Sequence, residues 1–334
     1  MRILFHPITI LAALALFWAA PANLYSQAKE LKDLNTSYPL GGSSSYFWVA
    51  YRSGSFERHG LKLRPIFIPG GVTALQSLLA KEVLIQLTAG PAAIRAWARG
   101  AREVTFIGAV GTRLDYVIVA HPSVRNANDL KGKRIGVSQL GASPDFIARL
   151  GLRRLGLNPE KDVTIVPIGS PGERWLALTA GHVQVSLFQT PFTLRARKAG
   201  YVSLLDFATQ DFQYILSGVL TTRSFIRSDR ETVMNFMRGL ADGMDFYRDD
   251  RNREKSIRFL GEYYRSNAND ELEETINVYS RVTPGFPTVT AKSIENVIAN
   301  DEDLSGMGLK AGDMLDLSFL QRIEEERKTK GKAP

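Results

Sequence analysis

Short apolar runs alternate with amphipathic stretches of helical length from about residue 34 to residue 205. Runs rich in Ile, Val, Leu and Phe indicate strands, and apolar spacings of three and four between them indicate helices, such as 72–80 and 144–155. The predicted strands lie at 66–68, 84–87, 104–107, 134–137 and 163–166. The alternation predicts an α/β protein with mainly parallel sheets and helices on both faces.

The pattern repeats along the chain with an offset of 100 residues. Residues 80–91 correspond to residues 180–191, and matching positions continue on both sides. Each copy reads as strand, loop, helix, strand, Pro-containing loop and helix. Either all such units look alike, or two lobes of similar architecture present equivalent loops to a shared cleft.

The pattern changes after residue 221, where helical spacing dominates. Ser228 and Glu231 have the spacing of a capping box, and apolar positions from 233 to 247 continue a helix from it. Further helices are predicted at 250–264, 270–281, 291–300 and 317–327. Extended segments at 116–120 and 212–221 flank the middle third of the chain and predict two crossings between lobes.

Gly- and Ser-rich loops follow several predicted strands and precede predicted helices. Ligands of open α/β sheets bind at this edge, where helix N-termini offer unpaired amides. Ser hydroxyls add donors, and Gly lets the backbone approach a ligand, although the same residues also serve ordinary turns and caps. Ser143 before Pro144 has the pattern of an N-cap. The candidates from these loops are Ser43, Ser44, Ser45, Gly70, Gly71, Val72, Ser138, Gly141, Ser143 and Ser170.

Arg113 and Asp115 lie at the first predicted crossing. They could contact a polar ligand or pair with each other, and Arg113 joins the candidate ligand residues. Trp175 could line the cleft or pack in the core. The same two alternatives, a place in the cleft or in the core, apply to Tyr46, Phe47 and Trp48.

Composition mainly excludes certain kinds of site and function. The 334 residues are 44% hydrophobic and 23% charged, which is typical of a folded chain larger than one domain. The net charge of +8 is spread out, except for a basic run at 327–332, and no nucleic-acid-binding pattern accompanies it. There is no Cys, and the four His have no ligand spacing, so we expect no disulfide, no metal and no cofactor. We also expect no enzyme, because no nucleophile elbow is present.

The N-terminus predicts export. Arg2 precedes an apolar run at 8–20, and small residues suited to cleavage follow at Ala22 and Ala28. The run is shorter than the ~20 residues that span a bilayer, so we predict a signal peptide over 1–28, with an uncleaved anchor as the alternative. No later stretch is apolar enough to span a membrane. We therefore expect a soluble periplasmic protein.

Several segments resemble a known family. Residues 38–50, 54–63, 68–71 and 129–138 are similar to the nitrate/sulfonate/taurine-type substrate-binding proteins of ABC transporters, also described as NMT1/THI5-like. The resemblance covers about residues 34–237 and implies a type II periplasmic binding fold, with two α/β lobes joined by two hinge strands and a helical C-terminal region. The implied lobes are 31–115 with 222–327, and 116–221, followed by a basic tail at 328–334.

The resemblance also implies a function. A monomer would close on a small organic molecule and deliver it to an ABC permease at the inner membrane, and the basic charge and helix N-termini favour an anion. It adds the loops Thr88–Pro91 and Gln189–Pro191 to the candidate site, with Gly90, Pro91, Gln189 and Thr190 as the candidate ligand residues. The alternatives are a receptor for a membrane sensor and an enzyme of thiamine-pyrimidine synthesis, which relies on a Cys cluster that this chain lacks.

The chain departs from the family pattern at three positions. Leu84 and Gln184 stand where the family often has an acidic residue, and Lys81 stands where it often has Gly. These departures leave the implied fold unchanged, but they mean that the ligand of this protein cannot be inferred from the ligands of the family.

Overall fold

A computed structural model of the chain describes residues 30–329 and residue 331. The predicted signal peptide and most of the predicted basic tail therefore lie outside the described residues. Within the described part, the strands form two five-stranded sheets. The first sheet contains β1 (Lys32–Tyr38), β2 (Leu61–Phe67), β3 (Ile85–Thr88), β4 (Val104–Arg113) and β10 (Gln213–Thr222). The second contains β5 (Val117–Ala120), β6 (Arg134–Val137), β7 (Thr164–Pro167), β8 (Val185–Phe188) and β9 (Val202–Asp206).

Helices connect the strands and make up most of the C-terminal third. Between the strands lie α1 (Ser45–Arg52), α2 (Gly71–Leu79), α3 (Gly90–Ala98), α4 (Ser143–Arg154), α5 (Pro171–Thr179) and α6 (Phe192–Lys198). The C-terminal helices are α7 (Arg223–Ser228), α8 (Arg230–Arg248), α9 (Arg253–Tyr264), α10 (Asn269–Val282), α11 (Ala291–Ala299) and α12 (Ser318–Thr329). Among the described helices, none combines the length and the apolar character that crossing a membrane requires.

The two sheets have equivalent strand orders, β2-β1-β3-β10-β4 and β7-β6-β8-β5-β9. The first three strands of each order pair in parallel, whereas β10 and β5 pair antiparallel to both of their neighbours. Four strands of each sheet therefore run in one direction, in agreement with the predicted mainly parallel sheets, and one strand, β10 or β5, runs against them and makes the sheets mixed. The reason is that β5 and β10 each enter their sheet directly after a crossing between the sheets.

The offset of 100 residues corresponds to real structural equivalence. Strand β3 and strand β8 occupy equivalent positions in the two sheets, and so do helices α2 and α5, with bounds that differ by 100 residues in each case. Leu78 and Leu178 are both fully buried at the ends of these helices. The repeat therefore reflects two sheets of one design.

The chain crosses between the sheets twice, as the sequence predicts. It leaves the first sheet after Arg113 and returns to it at Gln213. Strand β10 pairs along its length with β4 in the first sheet, although the predicted second lobe extends to residue 221. The C-terminal helices pack on the first sheet and its helices, with α8 against α1 and α11 against β10. The lobe bounds themselves remain a prediction.

Two predicted helix starts are wrong by one residue. Asp229 caps α8 by accepting a hydrogen bond from the Thr232 amide at 3.2 Å, because Ser228 is already the last residue of α7. Ala142 is the N-cap of α4, and Ser143 lies within its first turn. The hydroxyl of Ser143 instead shares a 2.6 Å hydrogen bond with the Tyr214 hydroxyl of β10.

Candidate functional site

A cavity of about 70 Å³ lies between the carboxyl ends of the two sheets. That volume holds on the order of five water molecules. Loops after β1, β2 and β3 form one side, and loops after β6, β7 and β8 form the other. Its polar or glycine lining includes Gly41, Ser43, Ser44, Gly70, Gly71, Thr88, Tyr116, Ser138, Ser143, Gly169, Ser170, Arg174 and Gln189.

Several helices begin at the cavity wall. The N-cap residues of α1 to α5 all line the cavity; they are Ser44, Gly70, Ala89, Ala142 and Ser170. Unpaired amides and the partial positive charge of a helix N-terminus favour an anion at such a position. Five N-termini at one wall therefore favour an anion in the cavity, although at α5 the Glu173 carboxylate already accepts from the Ser170 amide.

Arg174 of α5 is the one charged side chain among the described residues that line the cavity. It is 2% exposed, and its Nη1 and Nη2 donate to the carbonyls of Gly169 and Leu187 at 2.7 and 3.3 Å. Its Nε has no hydrogen-bond partner within the described structure. Burial lowers its pKa from the usual arginine value, but arginine starts so high that the guanidinium stays charged. A buried, partly satisfied cation suits an anionic group.

Tyr116 shares the cavity wall with Arg174. Burial raises the pKa of its hydroxyl to about 12, although the charge of Arg174 acts in the opposite direction. Tyr116 is therefore a neutral hydroxyl near neutral pH and can donate a hydrogen bond to a ligand.

The serines of the site divide into bound and available hydroxyls. Ser44 shares a 2.9 Å hydrogen bond with Ser217, and Ser143 is bonded to Tyr214. The Ser43 and Ser138 hydroxyls make no hydrogen bond to any described residue, so they can donate to a ligand. They come from opposite sheets, which places donors on both sides of the cavity.

Eight of the fifteen predicted ligand residues line this cavity, namely Ser43, Ser44, Gly70, Gly71, Ser138, Ser143, Ser170 and Gln189. The other seven lie elsewhere. Ser45 is buried near Tyr247, Gly90 and Pro91 are buried in α3, and the Thr190 hydroxyl is bonded to that of Thr193. Arg113 is half exposed and pairs with Asp211 at 3.1 Å. Val72 and Gly141 line a separate groove.

That groove, of about 650 Å³, runs between α2, α3, α4 and residues 300–303. Arg95 and Asp301 form a 2.8 Å ion pair in its wall. Arg153 joins α4 to Glu302 at 2.9 Å. Its charges are largely paired with one another, whereas the smaller cavity combines loops from both sheets with an incompletely bonded cation. We therefore take the smaller cavity as the candidate site.

The sequence analysis missed Arg174 and left the role of Asp115 open. Asp115 does not pair with Arg113; it accepts hydrogen bonds from Gln189 Nε2 at 2.7 Å and from the Tyr279 hydroxyl at 2.5 Å. Burial raises the pKa of this carboxyl to about 6, against the lowering effect of those two donors. Trp175 lies instead against Phe188 and Tyr201 in the core of the second sheet. Tyr46 and Phe47 are fully buried as well.

No group of three or more His, Asp or Glu side chains suited to a metal ion occurs among the described residues. Two carboxylates adjoin lining residues of the cavity, and both are occupied by hydrogen bonds: Asp115 accepts from Gln189 and Tyr279, and Glu173 accepts from the Ser170 amide. The chemistry of the site is therefore that of hydrogen-bond donors around one cation.

Sequence comparison identifies the family. The profile of the NMT1/THI5-like family matches residues 43–253, which contain every strand of the second sheet and most loops of the cavity. The chain belongs to the NMT1/THI5-like family. No curated protein matches it by sequence.

Solved structures share the fold of this NMT1/THI5-like protein. The alkanesulfonate-binding protein SsuA from Xanthomonas axonopodis pv. citri, bound to MOPS, is 19% identical, with a TM-score of 0.70 over 86% of this chain and 99% of that chain. The ligand-binding component of an ABC-type import system from Staphylococcus aureus is 13% identical, with a TM-score of 0.71 over 87% and 98%. The desulfurization enzyme DSZB is 14% identical, with a TM-score of 0.62 over 89% and 99%.

These similarities confirm the predicted fold class, a type II periplasmic binding fold with two α/β lobes, two connecting crossings and a helical C-terminal region. At these identities they show the fold alone. Most of these neighbours bind solutes, and one is an enzyme.

Proposed function

We propose that this protein is an extracytoplasmic solute-binding protein that captures a small organic anion and delivers it to an ABC importer. The observation that carries the proposal is the buried Arg174 at a cavity built by loops of both sheets. Five helix N-termini and two available serine hydroxyls add donors, and no described carboxylate lines the cavity to oppose an anion. Structural neighbours named as binding components for alkanesulfonates and for an import system support the same role.

Binding would proceed by hinge closure. The crossings after Arg113 and before Gln213 are the two connections between the sheets, so rotation about them would open the cavity to solvent. Closed contacts include the ion pairs of Arg195 with Glu271 and of Lys198 with Asp270. The exposed Lys198–Asp270 pair contributes little to the closed state, whereas the Glu271 carboxylate is largely buried in its pair with Arg195.

We infer that the bound molecule is not transformed. The cavity presents hydroxyls, amides and one guanidinium, and its described lining contains no imidazole or carboxylate for proton transfer. The chain has no Cys to act as a nucleophile. The neighbouring enzyme DSZB shows that this fold can also support catalysis. Turnover of a ligand of this cavity would contradict the inference.

We further propose a periplasmic location and a monomeric state, with an inner-membrane permease as the partner. The predicted signal peptide and the import-system neighbour support this view. A receptor that presents its ligand to a membrane sensor is the alternative. Stimulation of a reconstituted permease–ATPase complex by the loaded protein would decide for transport.

Thermal unfolding of the full-length protein, refolded to remove any passenger, tests the binding claim. The panel consists of short-chain sulfonates, nitrate, carboxylates, pyrimidines and amino acids. A ligand at 100 times its Kd should stabilise the protein by about 2.7 kcal/mol. Arg174→Gln should abolish the shift, whereas Arg113→Gln, which removes the same charge outside the cavity, should retain it.

Two results would remove the proposal. One is a panel without any stabilising anion, together with native mass spectra that show no passenger in unrefolded protein. The other is an anion whose shift survives in a folded Arg174→Gln variant and disappears in Arg113→Gln, which would locate binding outside this cavity.

A further inference from the structure

Asp115 lies in the first crossing between the sheets, directly behind the cavity wall. It is 8% exposed and is bonded to groups from both sides of the molecule. Gln189, in the loop after β8, donates to Oδ1 at 2.7 Å, and Tyr279 of α10 donates to Oδ2 at 2.5 Å. Burial raises the Tyr279 pKa well above its usual value, so this hydroxyl remains a donor. Each carboxylate oxygen therefore has one fixed donor.

The ionised carboxylate dictates how the Gln189 amide is turned. A carboxylate only accepts hydrogen bonds, so the amide nitrogen must face Asp115 and the carbonyl Oε1 must point away from it. Oε1 lies 3.1 Å from the position that a Cβ on Gly41 would occupy, and both residues line the cavity. Oε1 has no hydrogen-bond partner among the described residues. The orientation thus leaves a free acceptor beside the space for the ligand.

We propose that Asp115 is a positioning residue that holds Gln189 Oε1 as an acceptor at the cavity, so that the site selects small anions carrying an O–H or N–H donor. The anion would be held by Arg174 and the helix N-termini, and the donor by Gln189. This inference rests on the proposed function and deepens it, because it adds a second requirement to the ligand.

Protonation of Asp115 would reverse the preference of the site for a ligand that carries a hydrogen-bond donor. A neutral carboxyl can donate to Oε1, so the amide can turn and present its NH2 group to the cavity, where it favours an acceptor. Tyr279 and Gln189 face the carboxyl by hydrogen bonds, and Tyr116, Asp206 and Tyr264 interact with it electrostatically. Burial raises its pKa to about 6, so the change falls between about pH 5 and pH 7.

Calorimetric titration with two matched probes tests the inference. The probes are 2-hydroxyethanesulfonate, which donates and accepts, and 2-methoxyethanesulfonate, which only accepts; both stay ionised from pH 5 to pH 8. The measured quantity is the ratio of dissociation constants, methoxy probe over hydroxyl probe. For the wild type we expect this ratio to be roughly tenfold higher at pH 7.5 than at pH 5, since a methoxy oxygen that faces Oε1 leaves both acceptors unpaired. Asp115→Asn, whose amide can donate to Oε1, should show the low ratio at both pH values.

Three further variants separate positioning from a general structural effect. Gln189→Met removes the acceptor and should give a pH-independent ratio with Asp115 still present. Tyr279→Phe removes a bond that lowers the pKa of Asp115, so the change in ratio should move to higher pH. Asp206→Asn removes a charge that raises the pKa of Asp115, while asparagine can still accept the 2.8 Å bond from the Ala208 amide; the change in ratio should therefore move to lower pH, opposite to Tyr279→Phe.

The outcomes are distinct. If neither sulfonate binds the wild-type protein at any pH and the wider panel also fails, the proposed function falls and takes this inference with it. If both probes bind but their ratio is unchanged by pH, by Asp115→Asn and by Gln189→Met, the positioning role alone is overturned. Should Asp115→Asn fail to fold, the pH shift in Tyr279→Phe gives the same decision.

Discussion

The Gln139 side chain donates from Nε2 to Thr73 Oγ1 at 3.0 Å, and so joins the loop after β6 to helix α2 of the opposite sheet. The same side chain covers Gly70, where a Cβ would lie 2.1 Å from Gln139 Oε1. Gly70 has a φ of 108°, which glycine adopts readily and other residues rarely do. Both loops border the cavity, so this contact closes one edge of it.

Loss of this hydrogen bond should speed ligand release. Thr73→Val keeps the shape of the side chain but removes the acceptor, and a net 0.5–1.5 kcal/mol corresponds to roughly two- to tenfold. Stopped-flow dissociation of 2-hydroxyethanesulfonate would measure the rate. Thr164→Val, at an exposed position of β7, is the control and should leave the rate unchanged. Equal rates for all three proteins would show that Gln139 does not hold the closed state.

Local periodicity was sufficient to predict much of this fold. The 100-residue offset between β3 and β8 and the two extended segments at the crossings are visible as patterns of apolar residues and Gly/Pro loops. The antiparallel entry of β5 and β10 is not visible in this way, because strand direction within a sheet depends on pairing between distant segments. The C-terminal helices could be predicted, but their packing on the first sheet came only from the resemblance.

The candidate site, like the fold, could be predicted from the sequence only in part. Ser43, Ser138 and Ser170 lie in loops whose composition marks them, whereas Arg174 lies on an amphipathic helix where a charge normally faces solvent. Its burial depends on the carbonyls of Gly169 and Leu187, which the fold brings to it. The resemblance pointed to the loop Thr88–Pro91. Its first two residues line the cavity, whereas Gly90 and Pro91 do not, since the chain is already helical at Gly90.

Helix α8 approaches α1 so closely that Gly243 should tolerate no side chain. A Cβ at this position would lie 2.0 Å from the Ala50 Cβ and 2.6 Å from its Cα. Gly243→Ala should therefore cost about 1–3 kcal/mol of unfolding free energy, as other overpacked cores do. The control is Gly172→Ala in α5, where no atom lies within 4 Å of the added Cβ. Urea unfolding should show a loss for the first variant only; similar stabilities would mean that α1 and α8 can separate without cost.

Asp115 should lower the stability of the protein as pH rises. The unfolded carboxyl titrates near about 4 and the folded one at about 6, so the folded state holds its proton more tightly over this range. Its contribution is fully present below about pH 4 and is lost by about pH 6. We therefore expect the stability of Asp115→Asn relative to wild type to rise by up to about 2.7 kcal/mol between pH 4 and pH 7.

Urea unfolding of both proteins at several pH values would measure this difference. Other titrating groups contribute equally to the two curves, so their effects cancel in the comparison. A difference that stays flat, or that favours the wild type as pH rises, would mean that burial does not raise the pKa of the Asp115 carboxyl in the folded protein.

Lys81 and Gly181 occupy equivalent turns after α2 and α5, and both have left-handed backbone conformations, with φ of 63° and 76°. That conformation costs about 1–2 kcal/mol for a residue with a Cβ, whereas glycine adopts it freely. Part of the gain is offset because glycine is more flexible in the unfolded chain, so Lys81→Gly should stabilise the protein by about 0.5–1 kcal/mol. The reciprocal variant Gly181→Lys is the internal control and should destabilise it by a similar amount in thermal unfolding. A loss of stability in Lys81→Gly would show that the exposed lysine makes a compensating interaction in its own turn, and the equivalence of the two turns would then not extend to their energetics.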